Sequence, residues 1–372
     1  MVNGPAGAFG AYLHVPFCAR RCDYCAFATW TDRGHLVDEY LDACRTEVER
    51  AVAAGMPPAT SVFVGGGTPS LVPASDLVRV LEAVPLAPGA EVTVECNPDT
   101  VTDELAATYA AGGVNRLSFG VQSMVPHVLE SLGRTHDVAN VERSVEIARR
   151  HGFTSFNLDL IYGAAGETVE DWRRTLEAAL ALEPPHISAY ALTIEAGTPL
   201  ADEPDRHPVD DDQADKYLLA SSLLPAAGLE NYEISNWARP GHECRHNLLY
   251  WDQGDYLGFG CAAHSHRQGR RWWNLRTPER YVAAVHDGDP TEAAGEDLDH
   301  ETRAAERLQL QLRTSAGVPH DALDPADVDV FAGLVEARGD RWVLTTEGRL
   351  LTNEVALRLR VRPAAPTAGP GR

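Results

Sequence analysis

The chain has no run of about 18 consecutive apolar residues, the length that crosses a bilayer as a helix, so no transmembrane segment is expected. Its first fifteen residues, MVNGPAGAFGAYLHV, lack the basic stretch and apolar core of a secretory signal. Positive charge is scarce: 32 Lys and Arg stand against 54 Asp and Glu, a formal net charge of −22. Such a surface repels phosphate backbones, and the basic patches, such as Arg267 to Arg271, are short. Nucleic acid is therefore not expected as a partner, and the acidic excess reads as a solubilising surface. A cytoplasmic location is expected, and there thiols stay reduced. Seven cysteines, an odd count with three packed between positions 18 and 25, then point to metal or redox chemistry rather than disulfides. No internal repeat occurs beyond an alternation of strand and helix patterns.

What is present is enough for a large domain and a smaller one. The chain has 372 residues, 44% of them hydrophobic, which suffices for a sizeable core. Short apolar runs at 8–15, 61–64, 90–95, 114–119, 154–161 and 186–192 read as buried parallel strands. Between them, 35–55, 73–83, 138–150 and 168–182 carry helical periodicity. Thr168 is placed as an N-cap, with Asp171 three residues on. Six strands alternating with helices predict an α/β fold, an open partial (β/α)6 barrel with function at the C-terminal ends of the strands.

After about residue 200 the pattern changes. A loop is expected over 201–215, a helix over 211–227, and the aromatic-rich 231–273 resists assignment. A helix over 302–312, a helix over 328–337, a strand over 341–345 and a helix over 347–359 give the order of a small winged-helix-like module. The expected domains are 1–205, a barrel with the cofactor site; 206–300, an accessory region; 301–362, the small module; and 363–372, a disordered tail rich in Pro, Ala and Gly.

The central motif is Cys18-Ala-Arg-Arg-Cys22-Asp-Tyr-Cys25, directly after the first strand. Thiolates are the ligands of iron–sulfur clusters. Three of them on a four-iron cube leave one iron open, which is what a catalytic metal site requires. Zinc held by three cysteines with His14 or His35 is the alternative, although zinc sites ordinarily use two separated pairs. Cys44 and Cys96 read as small buried hydrophobes.

This motif resembles that of the radical S-adenosylmethionine (SAM) superfamily, and the likeness extends further. Tyr12-Leu-His-Val-Pro-Phe-Cys18, Gly65-Gly-Gly-Thr-Pro-Ser70, Val94-Glu-Cys-Asn-Pro98, Ser118-Phe-Gly-Val-Gln-Ser123, Leu132-Gly-Arg-Thr-His136 and Leu158-Asp-Leu-Ile-Tyr-Gly163 follow one another as in its coproporphyrinogen III dehydrogenase-like branch. The resemblance implies a [4Fe–4S] cluster on Cys18, Cys22 and Cys25, with SAM chelating the open iron. It implies SAM contacts from Tyr12, Tyr24, Gly66, Gly67, Thr68, Glu95, Gln122, Arg134 and Asp159. It also implies a 5′-deoxyadenosyl radical on reduction, and an electron donor such as ferredoxin or flavodoxin. Read by itself, Asp159 in an apolar strand is a costly buried carboxylate that needs a partner, and Arg134 is the candidate.

Two features separate the branches. The porphyrinogen-oxidising dehydrogenase has a further cysteine two residues after the third ligand, where this chain has Phe27, and a long extension before the first strand, where this chain has only eleven residues before Tyr12. His246-Asn-Leu-Leu-Tyr-Trp251 is similar to the HNxxYW motif of the HemW-type haem chaperones. That resemblance implies haem as a ligand, haem-requiring proteins as acceptors, and His246 as a candidate axial ligand beside the flat faces of Tyr250 and Trp251. Cys244, Cys261 and His264 are further candidate ligands. Packing and hydrogen bonding are the other reading of His246 and its aromatics. Decarboxylation of coproporphyrinogen III is the alternative activity.

Overall fold

The computed structural model describes residues 7–359. Six strands, β1 (Phe9–Val15), β2 (Ala59–Gly66), β3 (Leu86–Cys96), β4 (Arg116–Gln122), β5 (Ser155–Tyr162) and β6 (His186–Ala191), lie side by side in chain order, all parallel. Helices α1 (Val37–Ala53), α2 (Ala74–Glu82), α3 (Asp103–Ala111), α4 (Pro126–Ser131), α5 (Val138–Arg150) and α6 (Val169–Ala181) connect them. The expected strands and the four expected helices are all present; α3 and α4 are additional. Thr168 caps α6 in a reciprocal capping box with Asp171.

The strands alternate rather than being apolar throughout. On β4, Leu117, Phe119 and Val121 enter the hydrophobic core, whereas Arg116, Ser118, Gly120 and Gln122 face cavities inside the barrel. On β5, Phe156, Leu158 and Leu160 go outward to the core and Asn157 and Asp159 inward. Side chains with a period of two thus give a greasy exterior buried under helices and a polar interior.

Residues 206–300 extend the same sheet at both edges. After α7 (Asp210–Ala226), β8 (Asn236–Ala238) adds antiparallel to β6, and β7 (Glu230–Glu233) pairs antiparallel with β8 at the edge. A short helix, α8 (Arg245–Trp251), then crosses to the opposite edge. There β9 (Asp255–Phe259) pairs parallel to β1, followed by β10 (His264–Arg267), β11 (Arg270–Asn274), α9 (Pro278–Asp287) and β12 (Glu292–Asp297). The loop expected over 201–215 gives way to α7 at Asp210.

The last part has its own small core of Leu308, Leu312, Val318, Leu323, Phe331, Val335, Leu344 and Val355. It comprises α10 (His300–Leu312), β13 (Val318–Pro319), α11 (Pro325–Val330), β14 (Val335–Arg338), β15 (Arg341–Leu344), α12 (Thr346–Leu350) and α13 (Thr352–Arg358). The helix expected over 328–337 is corrected: it ends at Val330, Gly333 turns the chain at φ 85°, and β14 follows. The helix expected over 347–359 is broken at Leu351. The tail at 363–372 lies outside the described residues.

Removing the α6 cap by Thr168→Ala should lower the unfolding free energy by about 1 kcal/mol. A fall in denaturant midpoint at constant slope would register it; an unchanged midpoint would mean the capping box contributes nothing.

Candidate functional site

At the C-terminal ends of the strands the barrel opens into a cavity of about 700 Å³. Cys18, Cys22 and Cys25 all line it, as free thiols on the loop after β1. Backbone bonds from Cys18 to Trp30 (3.1 Å) and from Trp30 to Pro16 (2.8 Å) close this loop at its base. The facing Gly65–Ser70 turn is bonded directly to it. Gly67 N–H donates to the Val15 carbonyl (2.7 Å), Thr68 N–H to Phe17 (2.8 Å), and the Thr68 hydroxyl to Cys18 Sγ (3.7 Å). Glycine is required here because a Cβ on Gly67 would lie 2.6 Å from the Phe17 carbonyl oxygen, and Gly66 has φ 108°.

The thiols fit a cluster. Each cysteine of such a site binds a different iron, so the sulfurs surround a volume rather than converge on a point. Correspondingly, no three His, Cys, Asp or Glu side chains among the described residues close on a single metal ion. His14, a suggested zinc ligand, has both ring nitrogens engaged, with the Ala28 carbonyl (2.9 Å) and the Tyr12 hydroxyl (3.0 Å). Burial pushes the Cys18 and Cys25 thiols up, a trend that a bound cation reverses.

Tyr24, Gly66, Gly67, Thr68, Glu95, Gln122, Arg134 and Asp159 line the same cavity as the cysteines. Gln122 sits at a break in the β4–β5 register with φ 65°, a conformation that non-glycine residues rarely adopt. Glu95 accepts from Gly66 N–H (3.2 Å). Loss of solvation pushes its carboxyl up to about 8, and the neighbouring Asp159 charge adds to this.

One expectation is corrected by the geometry. Arg134 does not pair with Asp159. It donates to the Gly120 carbonyl (2.8 Å) and to Cys22 Sγ (3.5 Å), bracing the cluster loop. Asp159 accepts instead from Ser118 and Asn157, each at 2.8 Å. Tyr12 lines a second chamber of about 300 Å³, which shares Gly66, Glu95, Ser118 and Asp159 with the cysteine cavity, and its hydroxyl meets His14.

His246 is not among the residues that line the cysteine cavity. It stands on α8 under the N-terminal ends of the strands, 1% exposed. Nδ1 meets the Ser61 hydroxyl (3.0 Å), Nε2 meets that of Tyr250 (2.8 Å), and the ring stacks on Phe63. Burial lowers its pKa to about 3, so the ring is neutral. Both ring nitrogens are thus hydrogen-bonded within the fold. Cys244 and Cys261 are likewise buried, while His264 is exposed and stacks on Trp273. Sequence reasoning also passed over Glu91, which holds α8 by accepting from Arg245 N–H (3.0 Å) and His246 N–H (3.3 Å), and over the buried Arg116. The only signal for either was a charge on the inward phase of an alternating strand.

Comparison with known proteins decides the family. A model of the radical SAM superfamily matches residues 12–179. The haem chaperone HemW of Mycobacterium tuberculosis (strain H37Rv) is 42% identical, covering 94% of each chain. That of Escherichia coli (strain K12) is 35% identical over 92% of this chain and 96% of its own. The chain belongs to the HemW family. Coproporphyrinogen III oxidase (HemN) of Escherichia coli, a radical SAM enzyme, shares the fold. Its TM-score is 0.81 at 24% identity, covering 94% of this chain and 89% of that one. The radical SAM barrel with its C-terminal α+β region is therefore common to both. Among the described residues no helix is long and apolar enough to cross a membrane.

The raised Glu95 pKa has a defined consequence. Between its ordinary value of 4.5 and about 8, the folded protein holds a proton that the unfolded chain has lost, so this group withdraws stability as the pH rises through that window. Glu95→Gln should therefore gain stability over the parent as the pH moves from about 5 to about 8. A difference that stays flat, or grows towards acid, would refute the assignment.

Proposed function

We propose that this protein binds haem and delivers it to haem-requiring proteins, and that it carries a [4Fe–4S] cluster and SAM in the 700 Å³ cavity. The observation that carries this reading is 42% identity to a haem chaperone across 94% of both chains. Cys18, Cys22 and Cys25 hold the cluster. Tyr24, Gly66, Gly67, Thr68, Glu95, Gln122, Arg134 and Asp159 surround SAM. When bound, the cluster supplies one-electron reduction to SAM's sulfonium. The chain's own part is to brace the loop through Thr68 and Arg134, offer carboxylates to ribose hydroxyls, and keep bulk water from the barrel interior. The electron donor is a small redox protein such as ferredoxin or flavodoxin. Residues 1–205 act as the cofactor unit, 206–300 close and extend its sheet, and 301–362 form a small module beside it.

Phe27 supports the chaperone over the dehydrogenase. The residue is 67% exposed and lines the cavity, where the dehydrogenase pattern has a thiol. An exposed phenyl ring offers apolar area to a flat macrocycle and no proton or sulfur chemistry.

Anaerobically reconstituted protein should hold about four irons, lost with Cys18→Ala. Zinc without iron would remove the cluster from the account. Haem titration should give a saturable Soret shift; none, with or without the cluster, would defeat the chaperone reading. Incubation with coproporphyrinogen III, SAM and a reductant should leave the porphyrinogen intact, and clear protoporphyrinogen formation would install the dehydrogenase instead.

A further inference from the structure

Below the SAM cavity the barrel does not end in packed side chains. The chamber of about 300 Å³ is bounded beneath by α8, through His246, Asn247 and Tyr250. Gly66, Glu95, Ser118 and Asp159 belong to the walls of both spaces, so the chamber adjoins the one above. Its volume would take about ten waters at liquid density.

Arg116 begins β4 and points into this chamber. It is 2% exposed, its Nε has no hydrogen-bond partner, and it forms no salt bridge among the described residues. A buried guanidinium with no direct ion pair and an unpartnered Nε is costly, and native proteins rarely leave one so. Burial pulls its pKa down, but Cys244, Glu91 and Asp159 acting through space more than offset this, and neither carboxylate forms an ion pair with it among the described residues. Glu91 is taken up by the α8 backbone at Arg245 and His246, and Asp159 by Ser118 and Asn157. Glu95, raised to about 8, is neutral at pH 7 and does not repel an anion.

We propose that this chamber is a carboxylate-binding site with Arg116 as its anchor. The planar fork of a guanidinium matches the two oxygens of a carboxylate. The charge balance favours a monoanion, because Asp159 shares the wall and a phosphate dianion would face it. The carboxylate comes either from a small free acid or from the acid arm of a larger ligand whose body occupies the upper cavity.

Calorimetric titration of the cluster-loaded protein with sodium formate at fixed ionic strength tests the free anion. One saturable site per chain is expected, weakened about tenfold or more in Arg116→Met, which should keep its cluster. No saturation up to about 100 mM formate, the result for a chamber that holds only water, overturns the proposal. Equal affinity in parent and variant does so as well. Should Arg116→Met fail to fold, Arg116→Lys keeps the charge without the fork and must bind formate more weakly; undiminished binding counts against the site. Haem, with its two carboxylate arms, tests the second source. Displacement of formate by haem assigns the site to an arm of that ligand, and formate binding untouched by haem assigns it to a free acid. Only this last arm rests on the proposed function, so a protein that takes formate but no haem would lose that function and keep the site.

Discussion

Two backbone hydrogen bonds, Gly67 to Val15 and Thr68 to Phe17, hold the ends of β1 and β2 together beyond the sheet, and the site depends on them. They seat the cysteine loop against the glycine turn. A loop of three thiols in water has no reason to stay ordered, since fixing each residue costs about 1–2 kcal/mol. Here the order is built in from both sides. The turn supplies N–H groups and the Thr68 hydroxyl, and β4 and the loop after α4 supply Arg134, which ties Cys22 to the Gly120 carbonyl. The glycines are dictated by the closeness of that approach, as the 2.6 Å separation of a Gly67 Cβ from Phe17 oxygen shows.

The second organising constraint is a polar interior. A barrel that faces Asn157, Asp159 and His186 inward must satisfy them without bulk water. It does so by chaining them. Asn157 donates to Ser118, Asp159 and Ser188 and accepts from His186, which in turn meets Tyr232. Such a network is rigid because each member's loss strands its neighbours. The floor follows the same rule. Gly10 lets α8 approach β1, since a Cβ there would collide with Leu249, and Glu91 then satisfies the first N–H groups of the helix. The HNxxYW segment is thus a plug beneath the barrel, opposite the thiols, and His246 is one of its bolts.

Much of this was legible in the amino-acid order. Strand positions followed from short apolar runs, the α6 cap from Thr168 and Asp171, and the cluster loop from three cysteines at spacings that fit one tight turn. The family motifs brought Gly66, Gly67, Thr68, Glu95, Gln122, Arg134 and Asp159 onto one list, and all of them line the cysteine cavity. These properties are local, or are carried by short segments that each end a strand, and the parallel barrel gathers strand ends at one mouth whatever lies between them.

Other features depend on side-chain direction and on partners far apart in the chain. Arg134 and Asp159 are near in sequence and were the natural pair, yet Arg134 turns to Cys22, 112 residues away, because the cluster loop lies over it. His246 meets Ser61 across 185 residues, and only the packing of α8 under β1 and β2 points its ring inward. The edge strands within 230–297 are mostly three to six residues long, too short for periodicity to declare them, and exist because β6 and β1 offer unpaired edges to receive them. The sequence by itself determined which chemistry the loop after β1 can hold. The tertiary structure alone decided which charged groups meet in an ion pair and which act only through space, since that depends on side-chain directions set by packing.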